Sequence, residues 1–273
     1  MTSFWFYILY SLNTLLFSPM PSIILPSRDD IFIAFREQWY IEMDSPIRAS
    51  EAFQCVTRFR EAIARITPEV LTQTYGMFDR AQDIDVGFVD RSVKDNHDEK
   101  YYFHYHPFLE SQRHFPDSVE YTRFLASLRE VYREMDSVVR DIFDILAGED
   151  EQIHSYLYVD PASRTTNSNT RILQYRPKSH MEYLAKPHED RGFLTLALYE
   201  TDPGLRMHTP DGRIIRSDYQ EWRMKLFPGD LYHRVIWAKS PLPGTTHDVI
   251  NLMESNKRRA SIVHFTNLAR AIV

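Results

Sequence analysis

The chain has 273 residues, 43% of them hydrophobic and 26% charged, and its 32 basic and 38 acidic side chains leave a net charge of −6. That composition excludes a disordered chain and supplies one large core or two small ones, while the lack of a basic excess argues against a nucleic-acid partner. The single cysteine, Cys55, excludes an intrachain disulfide framework and a cysteine-built zinc site.

No charged side chain precedes Arg28, and Phe4 to Phe17 is almost wholly apolar. At 14 residues this stretch falls short of the roughly 20 that span a bilayer. It also lacks the basic n-region and small-residue cleavage site of a signal peptide. Residues 1–26 are set apart as a hydrophobic N-terminal extension with Met20 as an alternative start, and no membrane association is expected.

Residues 27–150 read as a helical N-terminal part. Ser27-Arg28-Asp29-Asp30 has the oxygen side chains of a helix start, followed by Ile31, Ala34, Phe35 and Trp39 at helical spacing. Tyr40 to Met43 reads as a short strand. Ser45-Pro46 opens a longer helix whose apolar face includes Phe53, Val56, Phe59, Ile63 and Ile66. Residues 76–115 are polar, aromatic and irregular. A third helix is expected from Ser118 to Leu146, with a packing stripe from Tyr121 through Leu128, Met135 and Ile142 to Leu146.

From Ile153 the texture changes to short β-rich runs. These are Ser155–Val159, Thr170–Tyr175, Phe193–Tyr199, Leu205–His208, Arg213–Arg216, Met224–Phe227, Leu231–Trp237, Val249–Leu252 and Ala260–Phe265. Turn chemistry at Asp202-Pro-Gly204, Pro210-Asp-Gly212, Pro228-Gly-Asp230 and Pro241-Leu-Pro-Gly244 separates many of them. Many short strands at close spacing predict a double-sheet jelly roll over 151–273 rather than a βαβ sheet. The expected class is mainly β, a double-stranded β-helix core flanked by N-terminal helices and forming one compact unit with them.

Eleven histidines invite a search for metal chemistry, and eight glycines form no phosphate-cradling loop. His188-x-Asp190 stands just before a strong strand, and side chains at i and i+2 of an extended segment share a face. His247 follows near the start of a later strand. Two histidines and one carboxylate on one face of a metal leave three coordination positions open, the facial arrangement of non-haem iron oxygenases. Arg259-Ala-Ser261 places a guanidinium and a hydroxyl on one face of a strand, a receptor for a carboxylate.

The ordered pattern Pro187, His188, Asp190, Gly192, Leu194, Thr195, Leu196; Gly204, Leu205, Met207; Gly229, Asp230; His247; Arg259, Ser261, Phe265 resembles the iron(II)/2-oxoglutarate-dependent dioxygenases of the isopenicillin N synthase-like type. Arg171-Ile-Leu-Gln-Tyr175 is similar to that family's R-x-N-x-Y strand, with Leu173 in place of asparagine. Gln38-Trp39-Tyr40-Ile41 is similar to its early strand, with Trp39 in place of glycine. Asp248 stands where plant members usually carry arginine. The resemblance spans about residues 27–268.

It implies iron(II) on His188, Asp190 and His247, and 2-oxoglutarate with its far carboxylate on Arg259 and Ser261, assisted by Tyr175. Substrate oxidation, by default hydroxylation, would release succinate and carbon dioxide. Alternatives within the same pattern are a 2-oxoglutarate-independent oxidase and a non-catalytic carboxylate-binding jelly roll. The substrate is expected to be a small molecule. Arg206 and Arg234 suggest that it carries an acidic group; together with Tyr232, His233 and Phe265 they are expected to face the pocket by alternation along their strands. His104, His106 and His114 form a further cluster with no carboxylate to complete a metal site, and this stretch is expected to be a half-buried aromatic cover over the pocket. A cytoplasmic location is expected.

Overall fold

The first helix, α1 (Arg28–Glu37), begins in a reciprocal cap. Ser27 Oγ accepts from the Asp30 amide, and the Asp30 carboxylate accepts from the Ser27 amide, so two amides that helix geometry leaves unpaired are satisfied. Ile31 and Phe35 are the face it buries. The computed structural model describes residues 23–79, 84–91, 100–111, 115–176, 182–217, 220–236, 244–252 and 258–269. The apolar stretch Phe4–Phe17, His114 and most of the Pro241–Gly244 turn lie outside them.

After α1 come β1 (Ile41–Asp44), α2 (Ala49–Arg65) and α3 (Pro68–Thr72). Next are β2 (Gly76–Asp79), β3 (Ile84–Asp90) and β4 (Lys100–Tyr105), and then α4 (Val119–Ala147), α5 (Glu151–Leu157) and β5 (Tyr158–Asp160). The C-terminal half holds β6 (Thr165–Tyr175), β7 (Tyr183–His188), β8 (Leu194–Glu200), β9 (Leu205–His208), β10 (Ile214–Arg216), β11 (Arg223–Pro228), α6 (Asp230–Ile236), β12 (His247–Ile250) and β13 (Ala260–Asn267).

The strands form two antiparallel sheets. The larger has the order β1-β11-β8-β13-β6-β4-β3-β2, with β5 also paired to β6; the smaller has the order β10-β9-β12-β7. Among the described residues 38% are helical and 34% lie in strands, so the class is mixed α and β rather than mainly β. The jelly-roll pair of sheets is present, but the helices weigh as much as the strands. The long α4 contributes most to this. Ser118 Oγ accepts from the Tyr121 amide at its start, and Gly148 ends it at φ 56°. Its predicted stripe is buried throughout, including Tyr121, Leu128, Met135, Ile142 and Leu146.

Helices α2 and α4 pack on each other and, with the larger sheet, enclose the main core around Phe59, Phe103, Phe124, Val139 and Ile172. A smaller apolar cluster lies between the two sheets, built from Tyr102, Leu173, Tyr175, Leu205, Met207, Phe227 and Val249. The candidate site residues stand at the edge of this second cluster.

Four expectations change. Ser155–Val159, expected to be a strand, is helical through Leu157 in α5, and only Tyr158 and Val159 belong to β5. The run 76–115, expected to be irregular, contributes β2, β3 and β4 to the larger sheet. Tyr101 to Tyr105 is buried along its whole length rather than half-buried, because β4 lies between β3 and β6 with the helical layer on one face and the inter-sheet space on the other. Residues 231–236, expected to be a strand, are helical in α6. There Tyr232 is part of the main core, its ring 5.2 Å from Phe35 and 5.3 Å from Phe193. No helix among the described residues is long and apolar enough to cross a membrane.

Candidate metal centre and cosubstrate site

The site begins with strand register. His188 ends β7 and His247 begins β12, and the two are direct partners across an antiparallel pair. Their rings therefore lie side by side, with centroids 4.4 Å apart. Asp190 follows β7 by two residues. Its Oδ1 is 3.9 Å from His188 Nε2 and its Oδ2 is 3.6 Å from His247 Nε2. One ligand atom from each residue falls within 4.8 Å of the others, so all three can reach a single ion.

The hydrogen bonds behind these atoms set their chemistry. His188 Nδ1 lies 2.7 Å from the Lys186 carbonyl oxygen, and His247 Nδ1 lies 3.0 Å from that of Thr245. A carbonyl only accepts, so each Nδ1 carries the proton and each Nε2 presents a lone pair to the centre. Burial, and then the neighbouring His247, lower the pKa of His188 and keep it a neutral ligand. Asp190 is held below its usual range against the upward pull of burial, and the Thr195 hydroxyl donates to its Oδ2 at 2.7 Å. Two neutral imidazoles and an ionised carboxylate are the donor set that suits a divalent iron.

The motif glycines hold the Asp190 turn against the sheet. A Cβ on Gly192 would meet the Thr266 carbonyl oxygen at 2.6 Å, and one on Gly229 would meet the Gly192 carbonyl oxygen at 2.2 Å. With no side chains there, Gly229 N–H donates to Phe193 O at 3.0 Å and Asp230 N–H to Asp190 O at 2.8 Å. Trp39 adopts the left-handed φ of 65°, which ordinarily favours glycine.

The predicted carboxylate receptor opens on the same pocket. Arg259, Ser261 and Tyr175 are 5%, 6% and 4% exposed and line it together with His188, Asp190 and His247. The Arg259 guanidinium carbon lies 5.3 Å from the Tyr175 ring centroid. Arg259 Nε donates to the Asp202 carbonyl at 3.0 Å, and Nη2 stands 2.8 Å from Glu200 Oε2, yet Nη1 is buried without a hydrogen-bond partner. Glu200 Oε2 likewise lacks an aligned donor. An orphaned guanidinium nitrogen in a buried pocket is a donor suited to an anion, so these residues fit a dicarboxylate cosubstrate.

Sequence reasoning missed three members of the site. Lys100, 7% exposed, holds its ammonium 5.7 Å from the Tyr175 ring centroid. Arg171 lines the pocket beside the triad, and Glu200 reaches Arg259. Once β4 is recognised, Lys100, Tyr102 and His104 share a face by alternation and register with Tyr175, Leu173 and Arg171. Glu200 escapes that logic because a bulge in β8 makes Leu198 an extra residue between the partners of Val263 and Ile262.

Several substrate-pocket expectations are corrected. Arg206 points away from the pocket: its neighbours Leu205 and Met207 face the inner cluster, while its guanidinium pairs with Asp248. Arg234 pairs with Asp230 at 3.0 Å on the exposed side of α6, and Tyr232 is in the core. His233 lies on the same helix rather than on a pocket-facing strand. Phe265 does line the pocket. His104 does as well, whereas His106 packs on Phe78 with centroids 4.1 Å apart, so the two do not form a metal pair.

No family model matches the chain, and no curated protein matches it in sequence. Solved structures share its fold. A candidate oxygenase from Shewanella oneidensis is 21% identical, with 88% of this chain and 86% of that chain covered at a TM-score of 0.66. A Neurospora crassa protein, solved full-length with alpha-KG and 5-formyluracil, is 18% identical over 88% of this chain and 78% of that one, also at 0.66. JOX2, solved with 2OG, Fe and JA, is 17% identical over 95% and 82%, at 0.61. The likeness establishes the fold as that of the 2-oxoglutarate/iron(II) oxygenases.

Proposed function

We propose that this protein is an iron(II)- and 2-oxoglutarate-dependent oxygenase that oxidises, by default hydroxylates, a small organic molecule. The observation that carries the reading is the convergence of two Nε2 lone pairs and one carboxylate, each imidazole locked by a carbonyl on its far nitrogen. His188, Asp190 and His247 would hold iron on one face, and iron so held supplies activation of dioxygen and of the keto acid. Arg259 and Ser261 would bind the far carboxylate of 2-oxoglutarate, the open Nη1 of Arg259 making the new bond. Tyr175 and Lys100 line the same pocket beside that position. The neighbours solved with small molecules and 2-oxoglutarate support this choice of substrate class and cosubstrate.

The test is succinate formation from 2-oxoglutarate with iron(II), ascorbate and air, in the presence of pooled small metabolites. Succinate that rises with a pool and is lost in His188→Ala and Asp190→Ala is the expected result; undiminished succinate in either variant overturns the ligand assignment. The contact between Glu200 and Arg259 favours one second reading, a 2-oxoglutarate-independent oxidase on the same fold in which Arg259 already has its carboxylate. Calorimetric titration of 2-oxoglutarate into the anaerobic iron(II) protein separates the two.

A further inference from the structure

A cavity of about 680 Å³ opens beside the triad, and it contains a cation that the cosubstrate chemistry leaves unused. Arg171 on β6 lines it together with His188 and Asp190. Its Nε donates to Nε2 of His104, and Nδ1 of His104 donates to the Asp85 carboxylate. Tyr102 Oη adds a long bond of 3.4 Å to the other Asp85 oxygen. Burial, and then the charge of Arg171, lower the pKa of His104 to about 4, so the ring is neutral and one nitrogen is free to accept from the arginine.

The guanidinium is also held from the sides. Its carbon lies 4.8 Å from the Tyr102 ring centroid and 4.5 Å from that of Phe265. Those rings come from β4 and β13, the strands on either side of β6. Tyr102, His104 and Phe265 thus fix the plane and direction of a side chain that is ordinarily among the most mobile. Among the described residues Arg171 makes no ion pair, and Nε is its only hydrogen-bonded nitrogen. The two Nη nitrogens form the fork that matches a carboxylate. The acids in the cavity wall feel its charge without pairing with it: Asp85 is hydrogen-bonded to His104 and Asp190 belongs to the triad, which leaves Glu189. A structural arginine inside a sheet normally carries its own carboxylate; this one is restrained through a neutral histidine, with no carboxylate paired to its Nη fork among the described residues.

We propose that Arg171 anchors a carboxylate of the substrate, which makes the substrate class a small organic acid whose carbon skeleton packs on Tyr102 and Phe265. His104 is a positioning residue that acts through Arg171, with Asp85 behind it. The proposal rests on the oxygenase reading above, because the oxidised carbon must sit between this anchor and the triad.

The test measures binding to the Co(II) protein saturated with 2-oxoglutarate under nitrogen, so that Arg259 is already occupied. Ligand-observed NMR and calorimetry compare benzoate, phenylacetate and cyclohexanecarboxylate with their amides. At least one acid is expected to bind tenfold or more tightly than its amide, and Arg171→Gln to abolish that preference, since a charge-assisted hydrogen bond contributes on the order of ten- to a hundred-fold. Arg171→Lys keeps the charge without the fork and should retain only part of the preference; it replaces the glutamine variant if circular dichroism shows the latter unfolded. His104→Gln should reduce the acid–amide ratio while Co(II) uptake is unchanged, which a merely structural role would not produce. Failure of every acid to exceed its amide, or an unchanged preference in Arg171→Gln, overturns the proposal. Uptake of Co(II), read by visible absorption and lost in His188→Ala, reports the triad separately; no uptake overturns the oxygenase reading instead.

Discussion

Glu200→Gln is the substitution whose consequences the geometry works out furthest. In the free protein Arg259 is buried, its Nη2 is 2.8 Å from Glu200, and its Nη1 is open. Burial alone would lower the arginine pKa, but Glu200 and then Tyr175 outweigh it and raise it. If 2-oxoglutarate docks on the open Nη1, two carboxylates share one guanidinium at a separation of roughly 5 Å, which costs about 3 kcal/mol at an effective dielectric constant near 20. Replacing Glu200 by the near-isosteric amide removes that repulsion and leaves the arginine with a stronger demand for an anion. Affinity for 2-oxoglutarate should therefore rise by about ten- to a hundred-fold.

The same change must weaken the free protein, because one partner of a buried pair is lost, at about 3–5 kcal/mol. Saturating 2-oxoglutarate should restore part of it through binding to the folded state alone. The assay is calorimetric titration of the anaerobic Fe(II) protein, paired with urea unfolding with and without about 1 mM cosubstrate, a concentration on the order of a thousand dissociation constants if binding is micromolar. A glutamine variant that folds and binds 2-oxoglutarate no more tightly than the parent refutes the placement of the far carboxylate on Arg259.

Gly229→Ala should lower iron(II) affinity by about ten-fold or more with only a modest change in overall helix content, because the added Cβ collides with the Gly192 carbonyl behind Asp190; metal titration with unaltered affinity would dissociate this glycine from the site. Stability should fall with acid before the carboxylates titrate. His104 and His264 have pKa values lowered by burial to about 4 and about 3, so between pH 6.5 and 4 the unfolded chain binds protons that the folded one does not, and stability is lost as pH falls. Each group contributes up to about 2 kcal/mol between pH 6.5 and 5, which urea midpoints at those two pH values will read. His104→Gln should remove its share, and an equal pH dependence in that variant would contradict the assignment.

The candidate metal ligands were legible because their signal is local. His188 and Asp190 are two residues apart at a strand end, and a strand pair brings His247 to them in register. The same holds for Arg259, just before β13, and Ser261, two residues on within it. What escaped were contacts made by non-local pairing. Arg171 was in view within its motif, but its relay through His104 to Asp85 needs β3, β4 and β6 side by side, and 76–115 carried too irregular a pattern to announce two of those strands. The run 231–236 misled for a different reason. A short apolar segment of that length fits strand and helix periods alike. The tertiary setting decided it, because Tyr232 fits between Phe35 and Phe193 only as part of a helix that closes the end of the main core.

The departure at Asp248 follows from the same pairing of strands. Asp248 is fully buried, yet Arg206 meets it through Nε at 2.7 Å and Nη2 at 2.8 Å, and His208 Nε2 lies 2.8 Å away. Arg206 is its direct partner on β9, so the pair lies on the face of the smaller sheet opposite the triad. Alternation makes this placement decisive. Slipping β12 by one residue against β9 would turn His247 outward and bring Asp248 into the apolar space between the sheets, stripped of both its partners. Val249 and Met207, which pack in that space, would be displaced as well. A buried ion pair adds little net stability, but the cost of breaking one is large, and that asymmetry specifies a single register. Arg206, expected from sequence to meet the substrate, instead secures the strand that carries His247 to within reach of Asp190.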